Sequence, residues 1–147
     1  MKIEDHLRNI NESLEIIQEN IQTGIQDRQR SIGFNTSVAG VEMFEVFLHK
    51  ENLLHPSSIL KHSWFGSERI ANDKLGFDFL DKDKIISLLC NIEERRNILC
   101  YGKKRPVSEI KSTLDYFNEL KNLFESKGLR WNYLVMLWIL HLFWCKI

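Results

Sequence analysis

An all-α fold, an up-down bundle of four to five main helices, is predicted by three observations. Ile3, Leu7, Ile10, Leu14, Ile17 and Ile21 step by alternating intervals of four and three residues, the spacing of a helix with one apolar face. No stretch of useful length alternates apolar with polar residues, as a half-buried strand does. Only two prolines and seven glycines interrupt 147 residues, in a composition rich in helix formers. That length fits one domain with one core. We read a helical bundle over residues 1–128 and an apolar C-terminal helix over residues 129–147.

The Ile3 seam predicts a first amphipathic helix to about Gln29, since the intervening residues are almost all polar. A second helix is expected from about Ser31 to Asn52, with Phe34, Val38, Val41 and Leu48 as its apolar stripe. Beside that stripe, Gly33, Ser37 and Gly40 form a row of small residues that admits a close backbone, within the chain or across a dimer. Pro56 stops the helix. Ser57 or Ser58 is expected to cap a short helix through "ILKHSWF". "GFDFLDKD" reads as a loop leading to Asp81 or Asp83 as the next N-cap. A third main helix should span about Asp83 to Cys100 and stop near Gly102. After the loop "KKRP", Pro106 suits a first helical turn. Ile110, Leu114, Phe117, Leu120 and Phe124 then line a fourth main helix, which ends at Gly128.

Lysine plus arginine equals aspartate plus glutamate, twenty each, so bulk charge selects no nucleic-acid or membrane partner. Three cysteines, Cys90, Cys100 and Cys145, make an odd count without CxxC spacing. No disulfide framework is expected, and a reducing, cytoplasmic setting follows. The N-terminus is too polar for a signal peptide. His6, His49, His55, His62 and His141 show no zinc-like spacing, so no metal or other cofactor is expected.

One position on the third helix is anomalous. Counting 100° per residue from Ile85, Leu89, Ile92 and Leu99 fall within about 40° of the helix's apolar direction, and Arg96 falls among them at about 20°. A guanidinium in an apolar seam is costly unless paired, and it cannot shed its proton. Glu45 sits at the centre of the second helix's stripe, so a Glu45–Arg96 pair would satisfy both charges. Alternatively Arg96 snorkels to the surface, or it meets an anionic ligand in a cleft. Arg95, Arg96, Lys103, Lys104 and Arg105 crowd into eleven residues, a patch able to hold a phosphate backbone or simply a solvated helix end. Trp64, Phe65 and Tyr101 are candidate stacking rings or core residues.

The stretch "RRNILCYGKKRP" (residues 95–106), late in a long helix and followed by a short loop and another amphipathic helix, resembles the HEPN superfamily (higher eukaryotes and prokaryotes nucleotide-binding). The resemblance runs over residues 31–126. It implies a HEPN-like helical bundle that dimerises, with facing motifs, and a metal-independent endoribonuclease in the active members, many of which serve in toxin–antitoxin systems. Arg96 matches the motif arginine and Asn97 the polar residue after it. The motif histidine is missing, and Tyr101 stands in its place. A phenol holds its proton too tightly to act as a base near neutrality, though it donates a hydrogen bond to phosphate. The resemblance therefore implies a homodimer with an RNA- or nucleotide-binding cleft at Arg96, Asn97 and Tyr101, flanked by Arg95, Lys103, Lys104 and Arg105, with weak or lost ribonuclease activity. The alternative is a non-enzymatic helical interaction module, an antitoxin-like partner or a membrane-tethered dimer.

Tether or core is the question posed by residues 131–147. Tyr133 to Leu140 is unbroken apolar sequence, and a helix apolar all round is buried in protein or in lipid. Seventeen residues reach about 26 Å, short of a ~30 Å hydrocarbon layer, while Arg130 and Lys146 with tryptophans near both ends suit a short anchor.

Overall fold

The computed structural model describes residues 1–131. Among them are five helices and no strand: α1 (Ile3–Thr23), α2 (Gln29–Lys50), α3 (Glu68–Lys74), α4 (Lys82–Cys100) and α5 (Val107–Ser126). The all-helical bundle expected from the periodicity is the observed architecture. No helix among the described residues is long and apolar enough to cross a membrane. The expectations for residues 132–147 lie outside the described residues.

The α1 seam holds in its middle. Ile10, Leu14 and Ile17 are buried, Ile3 and Leu7 half-buried, and Ile21 is exposed. The helix stops at Thr23, six residues before the expected end. Gly24 there takes φ +111°, a backbone conformation that favours glycine, and a three-ten turn at Ile25–Asp27 leads into α2.

α2 is the central rod. It packs against α1, α4 and α5, and every residue from Ala39 to Leu48 except Glu42 is buried. Its apolar face is therefore wider than the stripe expected from the sequence, and it excludes one member: Phe34 is 50% exposed. Phe44, instead, lies at the centre of an aromatic cluster. Its ring centre is 5.4 Å from Phe79, 6.2 Å from Phe65 and 6.3 Å from Phe124. Trp131 closes the cluster edge-on against Phe124.

The row of small residues on α2 is used within the chain. A Cβ on Gly33 would stand 2.9 Å from Cβ of Leu99, and one on Gly40 would stand 3.3 Å from Leu120. These glycines let α4 and α5 come close to the α2 backbone.

Between α2 and α4 the chain departs from expectation. "ILKHSWF" forms no capped α-helix; only a three-ten turn at His62–Gly66 is regular. The short α3, which has too few turns to show periodicity, follows it, capped by the Ser67 hydroxyl accepting the Ile70 N–H. Asp81 is the N-cap residue of α4, in the left-handed region at φ 60°, without a side-chain cap bond. The Lys82 ammonium donates to the carbonyls of Leu75 and Phe77 and lies over the Phe79 ring, which ties the preceding loop to the core. Pro106 is the N-cap residue of α5 rather than part of its first turn.

Gly33→Ala is expected to lower the melting temperature. The added methyl gains ~1 kcal/mol of helix propensity, but it meets a Cβ that cannot swing away, and overpacking of this kind costs ~1–3 kcal/mol. Thermal denaturation followed by circular dichroism reads the net loss.

Candidate anion-binding site at Arg96

Arg96 is turned inward on α4. Its guanidinium donates to Glu93 Oε1 at 2.7 Å, one helical turn earlier, and the side chain is 20% exposed. The other oxygen of Glu93 accepts the Ser37 hydroxyl of α2 at 2.7 Å and lies 3.1 Å from His62 Nδ1. Ser37 Oγ is itself 3.1 Å from that nitrogen. Three elements thus converge on one buried carboxylate: α4, α2 and the three-ten turn. Burial pushes the Glu93 carboxyl up, but hydrogen bonds from His62, Ser37 and Arg96 outweigh it, and the group titrates below its ordinary value of 4.5. The Arg96 Nε is buried without a hydrogen-bond partner.

The expected Glu45–Arg96 pair does not form. Glu45 accepts the Leu60 N–H at 2.7 Å and approaches His6 of α1 at 3.1 Å. The physical reason is position along α2. Glu45 lies two turns beyond Ser37, opposite α1 and the Leu60 strand of chain, while Ser37 faces Arg96's own turn of α4. A local i,i+3 carboxylate was available to Arg96 and is the one used.

Asn97 and Tyr101 are not joined to Arg96 by any hydrogen bond among the described residues. Asn97 is exposed. Tyr101 ends α4 and is 74% exposed. It lines a surface groove of about 300 Å³ with Arg30, Ser31, Phe34 and Cys100. Cys100 connects this groove to the site: it lies one turn after Arg96, and its thiol, raised by burial, feels the opposing charges of Arg96 and Arg30. Burial pushes the other described thiol, Cys90, up to about 11, so neither is poised as a nucleophile.

The basic loop docks beside the start of α2. Gln29 donates to the carbonyls of Leu99 and Lys103 and accepts the Arg105 N–H. Lys104 pairs with Asp27 at 3.2 Å, and Arg95 and Arg105 each stand 3.9 Å from Glu109. A second groove, of about 460 Å³, lies here, with Arg28, Arg30 and Lys104 in its wall. Arg28 and Arg30 thus extend the predicted patch of Arg95, Lys103, Lys104 and Arg105 across to α2. Their closeness to it comes from the fold, not from sequence distance. Ser37, Glu93 and His62 also went unpredicted. Glu93 alone carried a sequence signal, its position three residues before Arg96.

Comparison with protein-family models, with curated proteins and with solved structures finds no match.

Because the folded Glu93 carboxyl titrates below the unfolded one, its stabilising contribution is complete above pH 4.5 and is lost as pH falls through the folded value. Glu93→Gln should therefore be less stable at neutral pH and less sensitive to acid than the wild type. The loss at pH 7 should be about 2–3 kcal/mol, below the ~3–5 of a fully enclosed pair because Arg96 keeps some water. Urea unfolding at pH 7 and pH 3.5 checks both.

Proposed function

We propose that the chain is a HEPN-like RNA-binding protein, acting as a homodimer, with ribonuclease activity weak or lost. The observation that carries this reading is the groove between the start of α2 and the end of α4. It sets an exposed arginine, Arg30, among two exposed aromatic rings, Phe34 and Tyr101. Cations with flat rings beside them are what a single-stranded phosphate backbone and its unstacked bases require. Arg28, Lys103 and Lys104 extend the positive surface along the same edge. The first turn of α2 adds free N–H groups and the positive end of a helix dipole.

Within this reading Tyr101 is a stacking and hydrogen-bonding residue, and Arg96 contributes positive charge from one turn beneath. Any residual cleavage runs through His62 rather than Tyr101. His62 Nδ1 is held by Glu93 and Ser37, which leaves Nε2 as the proton acceptor for a ribose hydroxyl.

The second reading, a non-enzymatic helical interaction module such as an antitoxin-like partner, is favoured by the Arg96–Glu93 pair itself. Arg96 already has an internal carboxylate, so its burial needs no external anion.

Fluorescence anisotropy with labelled single-stranded RNA separates the two. Wild-type binding should weaken steeply as salt rises. Tyr101→Ala should weaken it by roughly tenfold, the worth of one stacked base at ~1–3 kcal/mol. Lys103→Ala with Lys104→Ala should also reduce the salt slope by about two. A folded wild-type protein that ignores RNA at low salt sinks the proposal and leaves the interaction module.

A further inference from the structure

A second polar centre lies buried between α1 and α2, apart from the arginine site. His6 is 1% exposed. Its Nδ1 lies 2.5 Å from Glu42 Oε2, and its Nε2 lies 3.1 Å from Glu45 Oε2. The Nε2 contact is out of line for a hydrogen bond, so this buried nitrogen has no hydrogen-bonding partner. Each glutamate has its remaining oxygen anchored from behind: Glu42 Oε1 accepts from Asn9 at 3.2 Å, and Glu45 Oε1 accepts the Leu60 N–H at 2.7 Å. The carboxylates are thereby fixed with their other oxygens turned to the imidazole. No lysine or arginine pairs with either glutamate among the described residues.

We propose that His6, Glu42 and Glu45 bind one divalent transition-metal ion that ties α1 to α2. One ligand atom from each residue already lies within 4.8 Å of the others, so a small inward adjustment brings all three to the ~2.0–2.2 Å at which zinc holds nitrogen and oxygen. One imidazole with two carboxylates suits zinc, manganese or ferrous iron better than calcium or magnesium. The backing hydrogen bonds from Asn9 and Leu60 are the outer contacts that orient metal ligands. Apart from His6 no basic side chain stands against these two little-exposed carboxylates among the described residues, which makes them costly to keep, and a dication removes that cost. The site is not wholly sealed, since the Glu42 side chain is 16% exposed. The His49 ring stands 5.6 Å from that of His6, and His49 lines a surface cavity of about 690 Å³ with Met1, Ile3 and Leu54. The competing account is a protonated His6 shared between the two glutamates, with no ion. This inference is independent of the RNA reading.

The full chain, stripped with a chelator, is titrated calorimetrically with zinc chloride and, separately, with manganese chloride, and its melting temperature is followed in both. One ion per chain and a raised melting temperature are expected with at least one metal. His6→Gln and Glu45→Gln should each weaken binding by roughly 10–100-fold, while a Cys90→Ser, Cys100→Ser double variant should bind as the wild type does. Should neither ion bind the wild type, or should affinity survive both ligand substitutions or vanish with the cysteines, the site is refuted. The wild-type titration decides the matter even if a variant fails to fold.

Discussion

The middle of α2 is enclosed from Ala39 to Leu48 with only Glu42 reaching solvent, and it nevertheless carries two carboxylates there and a serine one turn earlier. A polar group taken out of water must find a partner or lose on the order of 1–3 kcal/mol, and a charge loses more. Each of these groups is therefore answered by a different element. Glu45 takes the Leu60 N–H, Glu42 takes His6 and Asn9 of α1, and Ser37 donates to Glu93 of α4. The apolar core supplies most of the driving force, but it is non-directional. The polar contacts have direction, and they fix how α1, α4 and the irregular chain between α2 and α4 sit around the rod. The Leu60 and His62 contacts matter most in this respect, because residues 51–67 have little regular hydrogen bonding of their own.

The same constraint sorts the interior electrostatics along α2. Toward its start the partners include arginine and histidine, and the surface beyond them is basic and aromatic. Toward its end the partners are one histidine against two carboxylates, with no arginine or lysine paired to them among the described residues. Glu45 illustrates the second environment. Burial raises its carboxyl, only partly offset by the Leu60 N–H and by His6. Glu93, with three donors, is lowered despite being buried. The two environments lie roughly two helical turns apart on one helix.

Much of the helical organisation was legible in the sequence. The Ile10, Leu14 and Ile17 seam, the Ile110 to Phe124 face and the extent of α4 emerged where apolar spacing placed them, within a few residues. Arg96 was recognisable as a charge in the wrong place, and it does sit inward, paired. Its partner was missed: the angular count pointed to Glu45 on α2, which the offset of α4 along α2 keeps away, and it passed over Glu93, one turn earlier on the same helix. Phe34 was taken for core because it is apolar and in phase. It is exposed although Ile32, Gly33, Asn35 and Thr36 beside it are buried, so it leaves α2 on a side that no other element covers at that level. α3 was too short to show a period, and the 53–61 stretch is held by contacts with distant residues, which no local pattern records. The approach of Arg28 and Arg30 to the 103–105 loop likewise follows from Gln29 bridging chain segments some seventy residues apart.

What the sequence by itself determined is which residues become helices, where several of them stop, and which side chains are out of keeping with their own face. Helical phase is a local property, set within a few turns. What only the tertiary structure decided is which polar groups meet across elements, most of them not out of place by phase alone: Glu93 with Ser37 and His62, and His6 with Glu42 and Glu45. Phase gives the direction in which a side chain leaves its own axis. The partner it finds depends on the rotation and sliding of neighbouring helices, and these are set by the packing of the whole core at once.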